Sequence, residues 1–183
     1  MNAQMLPTPP PGGWTLSTFP EDAPKRAELL EGRLFWSAQT SWHMTVVREL
    51  CKALESQVPG EYAVLYRMAI KLSERTAPEP DISIMHAGAW DLDKSVLDPD
   101  DVVLAAEVTT PESARRDRED KPPIYATMGI QAFWLIERGL DDAPIVQEHE
   151  LYGGTYRLKH THIGRLKTGV PFPIDIPLEA PKP

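Results

Sequence analysis

Apolar and polar residues change their spacing several times along the chain, and each change predicts an element. Over 41–57, Met44, Val47, Leu50, Cys51 and Leu54 recur three or four apart, which puts them on one face of a helix. Ser41 supplies its start and Pro59-Gly60 its stop. His43 falls on the side away from that stripe. Upstream, 23–30 reads as a short helix leading into a strand at 32–38, with Leu34 and Trp36 on one face and Phe35 on the other. Strands follow at 62–67, 69–73, 81–85 and 102–108. Thr110-Pro111-Glu112-Ser113 opens a second helix toward Met128, closed by Gly129. The next run alternates, Phe133 and Leu135 on one face and Trp134 and Ile136 on the other. Finally 145–151 and 155–163 read as a hairpin across Gly153-Gly154.

A strand, a helix and a strand over 102–137 predict a crossover unit in a mixed sheet. The fold class is therefore α/β or α+β, with an antiparallel C-terminal meander. Proline marks both ends: Pro7, Pro9, Pro10, Pro11, Pro20 and Pro24 lie early, and five more lie from Pro171 onward. Because proline cannot donate to a ladder, residues 1–19 are expected to form a flexible arm. By the same argument 171–183 are expected to form an extended surface tail, leaving one domain at 20–170.

Composition narrows the setting. With 183 residues, 42% apolar and 25% charged, the chain can bury a real core. It has no apolar run long enough to span a bilayer, and 1–13 lack the basic and apolar regions of a secretory signal. Cys51 is the only cysteine, so no intrachain disulfide or multi-cysteine zinc site is expected. These features point to a cytoplasmic protein without a membrane partner. The net charge of -8 argues against a generic basic coat for nucleic acid. It is unevenly spread. Asp91, Asp93, Asp98, Asp100, Asp101, Glu107 and Glu112 face only Lys94 over 86–112, whereas Arg157, Lys159, Arg165 and Lys167 meet no acid over 151–168.

Three segments look chemical: Pro80-Asp81-Ile82-Ser83-Ile84, Ala105-Ala106-Glu107-Val108-Thr109, and the charged run Arg116-Asp117-Arg118-Glu119-Asp120-Lys121. A carboxylate at the end of an apolar strand is costly unless paired or bound to a metal. Two carboxylates about 4 Å apart repel by roughly 4 kcal/mol at an effective dielectric near 20. A hard divalent ion between them removes that repulsion.

Together, Pro80-Asp81, Glu107-Val108-Thr109-Thr110-Pro111, Asp117, Lys121, Tyr125 and Gly129 resemble the Uma-two family. That is a family of restriction endonucleases within the PD-(D/E)XK nuclease superfamily. Ala27-Glu28-Leu29-Leu30-Glu31-Gly32-Arg33-Leu34 is similar to its N-terminal segment, and His43 stands where a histidine is common. The resemblance covers 21–137. It implies a restriction-endonuclease-like mixed sheet flanked by helices, an Mg²⁺ site (Mn²⁺ as a substitute) on Asp81 and Glu107, and DNA as substrate. The third acid is Glu28, with Glu31 as the alternative. Where the superfamily carries a lysine on the second strand this chain has Thr109, and Lys121 stands in. Arg115, Arg116 and Arg118, with Arg157, Lys159, Arg165 and Lys167, are the candidate backbone contacts.

This chain departs from the family pattern in three ways. Pro122-Pro123 follows Lys121, so the helix must kink or restart there. Thr110 replaces a serine, and an acidic stretch occupies 91–101. Simpler readings stand beside the chemical ones. Asp81 could merely start a strand, Glu107 could pair with Arg116, and Asp117 with Lys121 could be an ordinary helix-surface pair. His160 and His162 share a strand face but have no third ligand nearby. The rival to a nuclease is a non-catalytic binding or regulatory protein on the same fold. A homodimer is compatible with both.

Overall fold

A computed structural model describes residues 8–21, 23 and 27–182. The strands and helices are β1 (Glu28–Leu30), β2 (Arg33–Phe35), α1 (Ser41–Glu55), β3 (Tyr62–Leu65), β4 (Ala69–Ile70), β5 (Ile82–His86), β6 (Val96–Leu97), β7 (Val102–Val108), α2 (Lys121–Thr127), β8 (Ala132–Arg138), β9 (Pro144–Tyr152), β10 (Thr155–His162), β11 (Arg165–Thr168) and β12 (Ile174–Pro177).

Six strands form the central sheet in the order β10-β9-β8-β7-β5-β3. Within this sheet β7 and β8 run parallel, because the helical segment between them crosses back over the sheet, and the other pairs are antiparallel; outside it β4 and β6 form a short parallel pair. The predicted crossover and the β9–β10 hairpin are both present. Alternation on the strands sorts the core into two layers. Ile82, Ile84, Leu104, Ala106, Val108, Trp134 and Ile136 face α1. Ala105, Phe133 and Leu135 face Tyr125 and Met128 on the other side.

The ends of the domain depart from expectation. Ile174, Ile176 and Leu178 join the α1-side core, and β12 pairs with β11. Residues 171–178 are thus part of the packed body rather than a surface tail. Pro173 and Pro177 flank the strand or end it, where a missing N–H does little harm. Of the predicted arm, residues 1–7 lie outside the described residues. Farther along, the Trp14 N–H donates to Gly32 O at 2.8 Å and the Leu16 N–H to Glu74 O at 2.8 Å, so this part lies against the body.

The helix expected at 23–30 partly falls on 24–26, outside the described residues. Its remainder, Glu28–Leu30, is strand β1, paired with β2. The turn between them needs two left-handed residues, Glu31 (φ 51°) and Gly32 (φ 80°). A side chain at Gly32 would run into the Arg75 guanidinium. Leu34 is buried as expected, but Trp36 lies beyond the strand and is exposed.

Helix α1 is capped by Thr40, one residue before the expected Ser41, with its hydroxyl accepting from the His43 N–H at 3.2 Å. The buried stripe is Trp42, His43, Val46, Val47, Leu50, Cys51 and Leu54. Met44 is exposed and His43 is 1% exposed, reversing their expected places. Among the described residues no helix is long and apolar enough to cross a membrane.

Candidate active site

Pairing of β5 with β7 sets Ile82 opposite Ala106, which brings Asp81 level with the end of β7. Asp81 Oδ2 accepts the Val108 N–H at 2.9 Å and sits 2.9 Å from His43 Nε2. Asp81 Oδ1 lies 3.6 Å from Arg67 Nη2. The acid is therefore more than a strand starter, since two elements hold its carboxylate in one orientation. Glu107 is on the opposite sheet face from Val108, beneath the crossover helix.

The crossover segment explains how a helix tolerates two prolines. It opens with a reciprocal cap, the Thr110 N–H donating to Ser113 Oγ at 3.0 Å and the Ser113 N–H to Thr110 Oγ1 at 3.1 Å. Residues Arg116–Asp120 then form a π-turn, closed by the Lys121 N–H donating to Arg116 O. Pro122 and Pro123 cannot donate, so the widened turn ends the first segment and α2 restarts with them in its first turn. Of the two predicted outcomes for this pair, the restart is the one found. Asp117, Lys121 and Tyr125 consequently share one buried face.

Lys121 Nζ lies 2.9 Å from Glu28 Oε2, 3.1 Å from Glu107 Oε1 and 3.3 Å from Asp117 Oδ1. The Tyr125 hydroxyl also donates to Glu107 Oε1. Both of those contacts use the same Glu107 oxygen. The Asp117–Lys121 pair is buried, so it is not the helix-surface pair that its spacing suggests. Arg116 pairs with Glu28, at 3.7 Å, rather than with Glu107, and its guanidinium covers the Phe35 ring. Of the two alternatives for a third acid, Glu28 lines the cavity, whereas Glu31 occupies the exposed hairpin turn.

These groups surround a cavity of about 40 Å³, room for a water or an ion. Glu28, Glu79, Asp81, Glu107 and Asp117 face Lys121, Arg67 and Arg116 across it. If all ionised, the five acids would exceed the three permanent cations by two charges. Burial pushes the Glu107 carboxyl well above the usual range, with Lys121 pulling against it. Desolvation likewise raises Asp117 and Glu79. Burial also works against the charge on Lys121, but Glu107, Glu28 and Asp117 outweigh it and hold the ammonium protonated. Glu28 Oε2 and Asp117 Oδ1 are buried and lie off the hydrogen-bond direction of the ammonium. Among the described residues no three carboxylate or imidazole groups are spaced to hold a metal ion by themselves.

The predicted nucleic-acid contacts are divided between the crossover segment and the strands β10 and β11. Arg116 lines the carboxylate cavity. Arg115 lies beside Glu119 and Asp120, and Arg118 pairs with Glu137. On the far hairpins, Lys159 lies near Glu148 and Glu150, Arg165 pairs with Asp175, and Arg157 covers Tyr152. Lys167 is exposed.

Sequence reasoning missed Arg67 and Glu79, the burial of His43 against Asp81, and the buried role of Asp117. For His43 the signal was available, since it sits three and four residues before Val46 and Val47 in the true stripe. For Asp117 and Tyr125 it was their spacing of four from Lys121. Nothing local marks Arg67.

The Uma2 family model, described as “Putative restriction endonuclease”, matches residues 15–172. Among curated proteins nothing matches. A solved structure from Anabaena variabilis, described as “a putative nuclease belonging to DUF820”, superposes with a TM-score of 0.59 at 15% identity. The match covers 81% of this chain and 82% of that one, which establishes a shared fold.

Proposed function

The chain belongs to the Uma2 family, and from that premise we propose that it is a metal-dependent endonuclease hydrolysing DNA phosphodiester bonds. The observation that carries the reading is the meeting of Asp81 and Glu107, from adjacent strands, with Lys121 in one small cavity whose acids outnumber its cations by two. A divalent ion entering the cavity would draw the carboxyls that burial has raised into their charged forms. The donors are hard oxygens, and Mg²⁺ needs only one or two carboxylates when water and phosphate complete its shell. Asp81 and Glu107 would hold the ion, while Glu28 lines the same cavity against Lys121 and Arg116.

When bound, Mg²⁺ (or Mn²⁺) supplies an activated water and neutralises charge at the phosphoryl group. The chain's own residues prepare for this. His43 and the Val108 N–H fix Asp81 Oδ2, leaving Oδ1 toward Arg67. Tyr125 orients Glu107 through Oε1. Lys121 keeps its proton and places positive charge where an oxyanion would develop.

Calorimetric titration of Mg²⁺ and Mn²⁺ into wild type and Glu107→Ala, with plasmid and single-stranded DNA nicking followed in parallel, tests the reading. Ion binding and nicking that both vanish in the variant support it. A folded wild type that binds neither ion at millimolar concentration and never cuts overturns it. One observation favours the rival, a non-catalytic protein on the nuclease fold. The Lys121 ammonium already stands among Glu28, Glu107 and Asp117, so much of the negative charge has a resident partner.

A further inference from the structure

Next to the carboxylate cavity lies a second one of about 360 Å³, lined by His43, Met44, Val47, Arg48, Cys51, Lys52, Glu55, Tyr66 and Arg67. His43 and Arg67 belong to the walls of both cavities. Met44, Val47 and Cys51 of α1 contribute an apolar wall. Tyr66 is 65% exposed, an unusual position for an aromatic ring that could have packed in the core.

The backbone that presents Tyr66 is strained. Arg67 has φ 55°, a left-handed conformation that its side chain disfavours. Such strain gathers at functional sites because surrounding contacts must maintain it. Here it ends β3 abruptly, leaves Tyr66 on the rim and turns Arg67 back between the cavities. Arg67 Nη2 reaches toward Asp81, while its Nη1 is buried without a hydrogen-bond partner. A buried N–H donor without an acceptor is costly, and a ligand oxygen would relieve it.

We propose that this second cavity is a subsite for one unpaired nucleotide beside the bond to be cut. The base would stack on Tyr66 against the apolar wall, and its phosphate would take Arg67. The inference rests on the nuclease reading and adds a substrate preference to it. The occupant's chemistry follows from the walls. A nucleobase offers a flat apolar face to the ring, and its phosphate is an anion for Arg67. Arg48, Lys52 and Glu55 also line the cavity, and Glu49, outside the lining, lies 3.0 Å from Arg48 and 3.9 Å from Lys52. A paired base hides both faces in its stack, so the subsite selects an unpaired or flipped nucleotide.

Fluorescence anisotropy in EDTA, with a short labelled single-stranded oligonucleotide and its duplex, tests the proposal on wild type, Tyr66→Ala, Tyr66→Trp and Lys52→Ala. Tyr66→Ala is expected to weaken single-strand binding about 5- to 100-fold. Tyr66→Trp should restore it, and the duplex should change less than about twofold. Unchanged single-strand binding in Tyr66→Ala, or equal weakening of strand and duplex, overturns the subsite. Metal-dependent nicking by wild type separates the two claims. Nicking with Tyr66-independent binding removes the subsite and keeps the nuclease. Tyr66-dependent binding without nicking keeps the subsite and removes the nuclease. No binding to either oligonucleotide removes the subsite.

Discussion

Two regions of this protein bury a carboxylate against a histidine at the same distance, and only one of them looks reactive. On β9, Glu148 lies 2.9 Å from His162 Nε2, accepts the Thr168 hydroxyl at 2.8 Å, and has Lys159 at 3.8 Å. At the mouth of β5, Asp81 lies 2.9 Å from His43 Nε2. The difference lies in the company each keeps. Glu148 is a single acid surrounded by its own donors. Asp81 belongs to a group of five acids facing three permanent cations. Burial of an acid is therefore not the signature of chemistry here. What sets the Asp81 site apart is five acids gathered around three cations in a cavity with room for a water or an ion, three of those acids, Glu107, Asp117 and Glu79, being pushed toward the protonated form by burial.

The strongest way to break the contrast is to remove Lys121. Lys121→Ala leaves Glu28, Glu107 and Asp117 buried without their shared cation, and should destabilise the fold by about 3 to 5 kcal/mol in denaturant titration. His162→Ala, which leaves Glu148 with Thr168 and Lys159, should cost about 1 to 2 kcal/mol. Equal losses would mean that the two regions are structurally equivalent.

Activity sharpens the same contrast. Glu107→Gln should lower metal-dependent nicking by about 100-fold or more, whereas Glu148→Gln should stay within about twofold of wild type. A Glu148 variant as impaired as the Glu107 variant would show that the cluster of acids does not locate the chemistry.

The subtlest test is the pH dependence of stability. Glu107, Asp117 and Glu79 have carboxyl pKa values raised in the folded state, first by burial. Above the ordinary glutamate value of 4.5, the folded protein therefore holds more protons than the unfolded chain. The stability these groups contribute is present below that value and is lost as pH rises through the folded values. Each unit of raised pKa corresponds to about 1.4 kcal/mol. In EDTA, the denaturation midpoint of wild type should fall from about pH 5 to pH 8, and that of Glu107→Gln should fall less. A midpoint that rises in wild type would mean that Glu107 is ionised in the fold. Adding Mg²⁺ should flatten the wild-type slope, because an ion would stabilise the charged carboxylates.

Much of the scaffold was legible before any coordinates. The alternation of Phe133 and Leu135 against Trp134 and Ile136 appears as two separate cores. The apolar run ending in Glu107 is β7, and the spacing around Gly153-Gly154 is the β9–β10 hairpin. What failed did so for identifiable reasons. Counting only apolar residues put His43 outside the stripe of α1, since a histidine is buried only when a distant acid receives it. Proline content argued against a C-terminal strand, yet β12 needs only its four residues and one neighbour, β11.

The chain's own periodicity and turn residues determined the sheet's central crossover, the β9–β10 hairpin and the two strand ends that carry Asp81 and Glu107. Those are local properties, set by which side chains alternate and where the backbone can bend. Only the tertiary structure decided which charges meet. His43 and Asp81 are 38 residues apart, and Lys121 draws Glu28 from the far hairpin and Glu107 from the sheet. Arg67 lines two cavities, and Tyr66 the second of them, that no run of sequence outlines. Electrostatic pairing acts through space at a few ångströms, and separation along the chain carries almost no information about it.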